Sequence, residues 1–194
     1  LASYLEKSAN HFLLVDPEVR KQKILEQVQI LAQEAGGFVE EDPELLNIVN
    51  YLVEFPVAIR GDFDPRFLEL PKELLVMTMK HHQKYFPVSD GKGNLLPGFI
   101  TISNMSAGHE IKNGNERVLR ARLEDARFFY NEDKKKNLDD FVESLKGVVF
   151  QKKLGTLYEK MERICDLARI LSTHACPDKE PQALRAGRLC KADL

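Results

Sequence analysis

"KYFPVSDGKGNLLPGFITISN", residues 84–104, decides the fold. Two β-rich stretches flank "SDGKGN", and Asp90-Gly91 with Gly93 supply the positive φ that a hairpin turn needs. On either side of this hairpin the chain reads mainly as helix. Upstream, "LELPKELLVMTMKHH" (68–82) is a helix opened by Pro71, and "PVAIRGDFD" (56–64) is a strand leaving for a loop. Further upstream, "DPEVRKQKILEQVQILAQEAGG" (16–37) starts with an Asp-Pro cap signal and ends at Gly36-Gly37. It carries Val19, Ile24, Val28 and Leu31 at helical spacing. "DPELLNIVNYLVE" (42–54) begins the same way and is expected to run until Pro56 stops it.

Downstream, strand signals vanish from Asn115 onward. Four helical stretches are predicted: "NERVLRARLEDARFFYNEDKKK", "LDDFVESLKGVV", "TLYEKMERICDLARILSTHA" and "EPQALRAGRLCKADL", jointed at Gly155-Thr156, Pro177 and Pro181. The expectation is a mostly helical α+β fold. Residues 1–150 would form the α+β domain with its hairpin, and residues 151–194 the start of an all-helical part.

The chain has 194 residues, 43% of them hydrophobic, enough for one good core or two small ones. Its longest apolar runs fall far short of the roughly 20 residues a bilayer requires, so no membrane association is expected. Cys165, Cys176 and Cys190 are odd in number and form no CxxC, which indicates neither a disulfide framework nor a zinc knuckle and points to a reducing, cytoplasmic home. The chain lacks an initiating Met and reads as a piece of something longer. The net charge of −2 hides an asymmetry. Residues 1–70 hold 13 acids and 6 bases, about −7, and the remainder holds 17 acids and 22 bases, about +5. An anionic partner should therefore meet the second part.

His81 and His82 are adjacent, so on a helix they point about 100° apart and cannot both bind one metal without distortion. His109 is the only other histidine nearby, and a metal site is not expected. Lys80, Gln83 and Lys84 beside Tyr85 and Phe86 suit a phosphate-plus-stacking contact to RNA. Against this stands a plain helix-to-strand seam in which Phe86 and Val88 point inward.

In the helix from Asn115, the residues Val118, Leu119, Leu123, Ala126, Phe129 and Tyr130 fill one arc. Arg117, Arg120 and Arg127 gather opposite, with Glu124 among them. That stripe reads either as a phosphate-binding face or as a solvated one partly neutralised by Glu124. Arg122 falls inside the apolar arc, where it must pair with a buried carboxylate or face a partner. Asp139-Asp140 and Glu132-Asp133 read as helix caps or solvated charges rather than catalytic pairs. No GxGxxG, GxxxxGK[ST], GxSxG or HExxH occurs, and no catalytic residue emerges.

"LVEFPVAIRGDFDPRFLELP", "ELPKELLVMTMKHHQKYFPV", "LPGFITISN", "GNERVLRARLEDARFFYNED", "VVFQKKLGTLYEKMERI" and the closing "RAGRLCKADL" follow one another with family-like gaps. Taken together they closely resemble the β subunit of the bacterial two-subunit glycyl-tRNA synthetase. The resemblance covers nearly the whole chain and is weakest over residues 1–40.

It implies an internal segment of a glycine-tRNA ligase β subunit. That segment would be non-catalytic itself, supporting tRNA(Gly) positioning and subunit architecture in an α/β heterotetramer. ATP and Mg would belong to the α subunit, with no cofactor in this segment. The implied partners are the α subunit, tRNA(Gly) and the rest of the β subunit. The helical end would begin an HD-type domain, whose metal chemistry needs a His-Asp dipeptide that is absent from these residues. Lys80, His82, Gln83, Tyr85, Arg117, Arg120 and Arg127 become the candidates for tRNA contact. Two alternatives stay open: a metal-dependent hydrolase or editing module, and a scaffold that docks the α subunit.

Overall fold

The computed structural model describes residues 2–104 and 107–193, with only the backbone of residues 2 and 3. The chain divides into two compact units, Leu1–Phe128 and Phe129–Leu194. The division falls within one long helix, a place that carries no composition or linker signal, and lies ahead of the joint near residue 150 suggested by the sequence.

The first unit opens with α1 (Ala2–Ala9), α2 (Pro17–Glu34) and α3 (Pro43–Asn50). Asp16 caps α2 by accepting from the Glu18 and Val19 N–H groups at 2.9 and 3.4 Å, and Asp42 caps α3 through the Leu45 N–H at 2.9 Å. Both helices then start on a proline whose missing N–H would have had no partner anyway. The buried row of α2 is Arg20, Ile24, Val28 and Ala32, every fourth residue. Val19, expected inward, faces solvent. α3 ends at Asn50, short of Pro56, because the Pro56 position itself opens β1 (Pro56–Asp62).

A 3₁₀ turn at Pro65–Glu69 leads into α4 (Lys72–Met77), which continues as one π-helical turn, Thr78–His82. The predicted hairpin follows as β2 (Phe86–Ser89) and β3 (Leu95–Asn104). The sheet order is β1-β3-β2, all antiparallel, with β1 in register from Pro56 opposite Asn104 to Asp62 opposite Gly98. One face of the sheet, through Phe86, Val88 and Ile100, packs with Ile24, Val28 and Ala32 of α2 and Leu45, Leu46 and Val49 of α3.

Both edges of the sheet are covered. Phe38 and Ser89 exchange backbone hydrogen bonds of 2.9 and 2.8 Å outside β2. On β1, Gln27 accepts from the Ala58 N–H at 2.9 Å and donates to the Pro56 carbonyl at 3.2 Å, and Glu116 accepts from the Asp62 N–H at 2.8 Å. The Phe38 backbone and the Gln27 and Glu116 side chains thus occupy several of the groups through which a foreign strand would add.

α5 (His109–Asp133) begins in the first unit and ends in the second. The second unit continues with α6 (Leu138–Ser144), β4 (Val149–Gln151), β5 (Gly155–Thr156), α7 (Leu157–Ala175) and α8 (Glu180–Leu189). The β4–β5 pair corrects the expectation of helix alone after residue 115. It was invisible because five residues in two strands are too few to show alternation. Gly155, at φ +82°, makes the return possible.

Capping boxes start α6 (Asn137 with Asp140) and α7 (Thr156 with Glu159). Asp139 holds Arg185 at 2.9 Å and Arg188 at 3.0 Å, so both members of Asp139-Asp140 serve structure. The small core here is Val142, Met161 and Ala192, with Phe141, Tyr158, Cys165 and Leu189 against it. No described helix is long and apolar enough to cross a membrane.

Candidate nucleic-acid interface

The Lys80–Tyr85 seam joins a helix to a strand by a defined closure. The Lys84 N–H donates to the Lys80 carbonyl at 3.2 Å and the Tyr85 N–H to the Met79 carbonyl at 3.0 Å, with Lys84 at φ +59°. This left-handed position after a helix is normally given to glycine. The Lys84 ammonium returns to the His81 carbonyl at 3.0 Å. Lys80 pairs with Asp42 at 2.8 Å. Burial alone would raise the Asp42 carboxyl, but hydrogen bonds from Leu45 and Lys80 hold it below the usual carboxylate range. His81 and His82 are exposed, and Gln83 is half-buried.

Tyr85 differs from the stacking platform the sequence suggests. It is buried, its ring lies on Phe99 with centroids 4.6 Å apart and planes 14° from parallel, and its hydroxyl donates to Asn115 Oδ1 at 2.6 Å. A ring so enclosed has no face to offer a base. Its role is to tie the seam to α5.

Burial pushes the Tyr85 hydroxyl up to about 12. Raised above its unfolded value of about 10, it contributes stability that is complete below pH 10 and is lost as pH climbs toward 12, at about 1.4 kcal/mol per unit. Urea unfolding followed across pH 9–12 should show a loss of up to about 2.7 kcal/mol that Tyr85→Phe does not share. Identical pH profiles for the two proteins would reject that assignment.

On α5, Leu119 and Leu123 are the fully buried residues. Asn115 faces the seam on one flank. On the other, Glu124 receives Arg66 and, at 2.6 Å, Arg127, and both guanidinium groups lie near the Phe67 ring, 5.1 and 5.6 Å from its centre. Arg127 is therefore engaged within the fold.

Arg117 and Arg120 are exposed and make no ion pair among the described residues. Arg122 is exposed as well, which removes the expected burial problem. The apolar arc drawn from residue types was rotated, since Val118 is 44% exposed and the inward line runs through Leu119 and Leu123. At 100° per residue, Arg117 stands about 160° around from Asn115 and Arg120 about 140°, while Arg122 lies within about 20° of it. The seam and the Arg117–Arg120 pair thus occupy different sides of α5 and do not make one site. Arg122 is the exposed cation on the seam's side, and the sequence assigned it inward because its neighbours Val118 and Phe129 are apolar.

His109 is the first residue of α5. Among the described residues no three His, Cys, Asp or Glu side chains are grouped to hold a metal ion. A cleft of about 340 Å³ lies beside α2, floored by Leu25, Val28, Leu46 and Phe86 and rimmed by Glu40, Glu41 and Asp42. Its acidic rim disfavours a phosphate.

The family model described as glycyl-tRNA synthetase beta subunit matches residues 1–194. The chain is 50% identical over 196 residues to the glycine–tRNA ligase beta subunit of Geobacter sp. (strain M21), covering 100% of this chain and 28% of that protein. It is 51% identical over 195 residues to the same subunit of Trichlorobacter lovleyi and 48% identical over 196 residues to that of Syntrophus aciditrophicus, with the same coverage in both. The chain spans 28% of the length of these curated relatives.

Proposed function

Because this chain belongs to the glycyl-tRNA synthetase beta subunit family, we propose that it is a non-catalytic part of a glycine-tRNA ligase and contributes backbone contacts to tRNA(Gly) through α5. The carrying observation is the pair Arg117 and Arg120, exposed on one side of α5 and without acidic partners among the described residues, with Arg122 exposed on the seam's side. Free guanidinium groups at a helix surface suit phosphate oxygens, which take them bidentately and without regard to base identity. His82 and Gln83, on the seam's side, are candidates for a separate contact. Glycine activation with ATP and Mg would belong to the α subunit, and the working site would be cytoplasmic.

A labelled tRNA(Gly) titrated with the chain across salt tests this, using Arg117→Glu/Arg120→Glu as the variant. Two phosphate contacts account for roughly 1.4–1.8 of the slope of log affinity on log salt, so their loss should weaken binding roughly 40-fold at 0.1 M salt. Unchanged affinity and slope in a variant with an intact circular-dichroism spectrum would refute an RNA role for these arginines.

A second reading, a scaffold docking the α subunit, is favoured by one observation. Lys80, Tyr85 and Arg127, three of the residues that looked suited to RNA, are committed to Asp42, Asn115 and Glu124. In that case the double variant would lose α-subunit association and retain tRNA binding.

A further inference from the structure

We propose that Cys165 on α7 and Cys190 at the end of α8 are a modification site, an intramolecular thiol pair that closes to a disulfide under peroxide. Both sulfurs flank Gly187. A Cβ placed on Gly187 would stand 3.3 Å from Cys165 Sγ and 3.5 Å from Cys165 Cα, so the two helices meet backbone to side chain at this point. Cys190 follows Gly187 by three residues, about 4.5 Å along the helix. Its Sγ is folded back to 3.1 Å from the Gly187 carbonyl.

The Cys165 thiol lies 3.6 Å from Met161 Sδ and 4.0 Å from the Leu184 carbonyl. Closing the bridge requires the Cys165 thiol to leave these contacts, through rotation about χ1 to another staggered well. Cys190 stands one helical turn beyond the Cys165–Gly187 contact, and closure also requires the two Cα atoms to lie about 4.4–6.8 Å apart.

The thiols have unequal roles. Cys190 is exposed and Cys165 is half-buried. Burial, and then the neighbouring Cys190, push the Cys165 thiol up. Cys190 therefore meets the oxidant. Its sulfur takes an oxygen from hydrogen peroxide, giving the sulfenic acid and one water. The Cys165 sulfur then attacks that sulfur, the S–O bond breaks, and a second water leaves with the Cys165 proton. The two thiols are oxidised by two electrons and the peroxide is reduced to two waters.

Cys176 is a control within the molecule. It is exposed at the end of α7, roughly 16 Å along the axis from Cys165. The test uses the reduced 194-residue chain, exposed to hydrogen peroxide, alkylated and weighed intact, then digested without reduction. The expected product has lost two hydrogen atoms, accepts one alkyl group in place of three, and yields a Cys165–Cys190 cross-linked peptide. Cys165→Ser and Cys190→Ser should abolish the cross-link, and Cys176→Ser should retain it.

The proposal fails if peroxide that oxidises Cys176 leaves Cys165 and Cys190 as thiols. It also fails if Cys190 goes on to the sulfinic acid uncoupled, or if the only disulfides found join Cys176 or two separate chains.

Discussion

Truncating Phe99 to alanine is expected to cost about 3–5 kcal/mol, one of the two largest effects in the first unit. Phe99 is fully buried and sits on β3, the only strand of its sheet with a partner on each side. Its ring is stacked on Tyr85 and fills the space above Gly61, where even a Cβ would collide with it. The missing side chain of Gly61 is thus the seat of the Phe99 ring. The backbone cannot collapse into the resulting void, because β1 is hydrogen-bonded to β3 along its length and fixed at its outer edge by Gln27 and Glu116.

Against a total stability of about 5–15 kcal/mol, the loss would lower the urea midpoint by about 2 M with little change in slope. Gly61→Ala should act in the same direction, since the ring must leave Tyr85 to admit a methyl group. A Phe99→Ala protein within about 1 kcal/mol of the parent would mean that the stack is not what fixes this face of the sheet.

The stack also explains which parts of the structure were legible in the sequence. The hairpin and the Asp-Pro helix starts follow from local chemistry and lie where the residues place them, although of the turn residues Asp90, Gly91 and Gly93 only Gly93 takes a positive φ, and the second half carries the β4–β5 pair among its helices. Tyr85 was not legible. Its sequence neighbours Lys80, Gln83 and Lys84 are those of an exposed ring, and only the pairing of β2 with β3 brings Phe99 over its face and Asn115 to its hydroxyl. Arg127 and Arg122 exchanged expectations for a related reason. A helical wheel orders residues around an axis but does not say which arc meets the core. Two leucines, Leu119 and Leu123, settle that for α5 against four other apolar residues. The candidate interface was therefore legible as a set of cations and illegible as a surface.

Arg20 carries the second large effect, and nothing in "DPEVRKQK" distinguishes it from its basic neighbours. Its side chain is buried at the start of α2. Nε donates to the Asn50 carbonyl at 2.8 Å and Nη1 to the Leu14 carbonyl at 2.5 Å, while Asn50 Nδ2 donates to the Pro17 carbonyl at 3.1 Å. No carboxylate is among its partners in the described residues. The charge is met instead by the carbonyl end of α3, whose partial negative charge suits a cation.

Two charge-assisted bonds at about 1.5–3 kcal/mol each, the one to Asn50 buried and the one to Leu14 partly buried, predict a loss of about 3–5 kcal/mol for Arg20→Ala. Arg20→Lys keeps the charge but has one nitrogen for two carbonyls set apart by a guanidinium's width, and should recover about half of that. Arg20→Met separates bonding from packing. It keeps much of the stem and abandons both carbonyls, so urea unfolding should place it close to Arg20→Ala. A methionine variant as stable as the parent would show that the cost of burying the guanidinium had cancelled its two bonds. The junction of α2 with α3 would then be held by the apolar contacts around Ile24, Val28 and Val49 and by the Asn50–Pro17 bond.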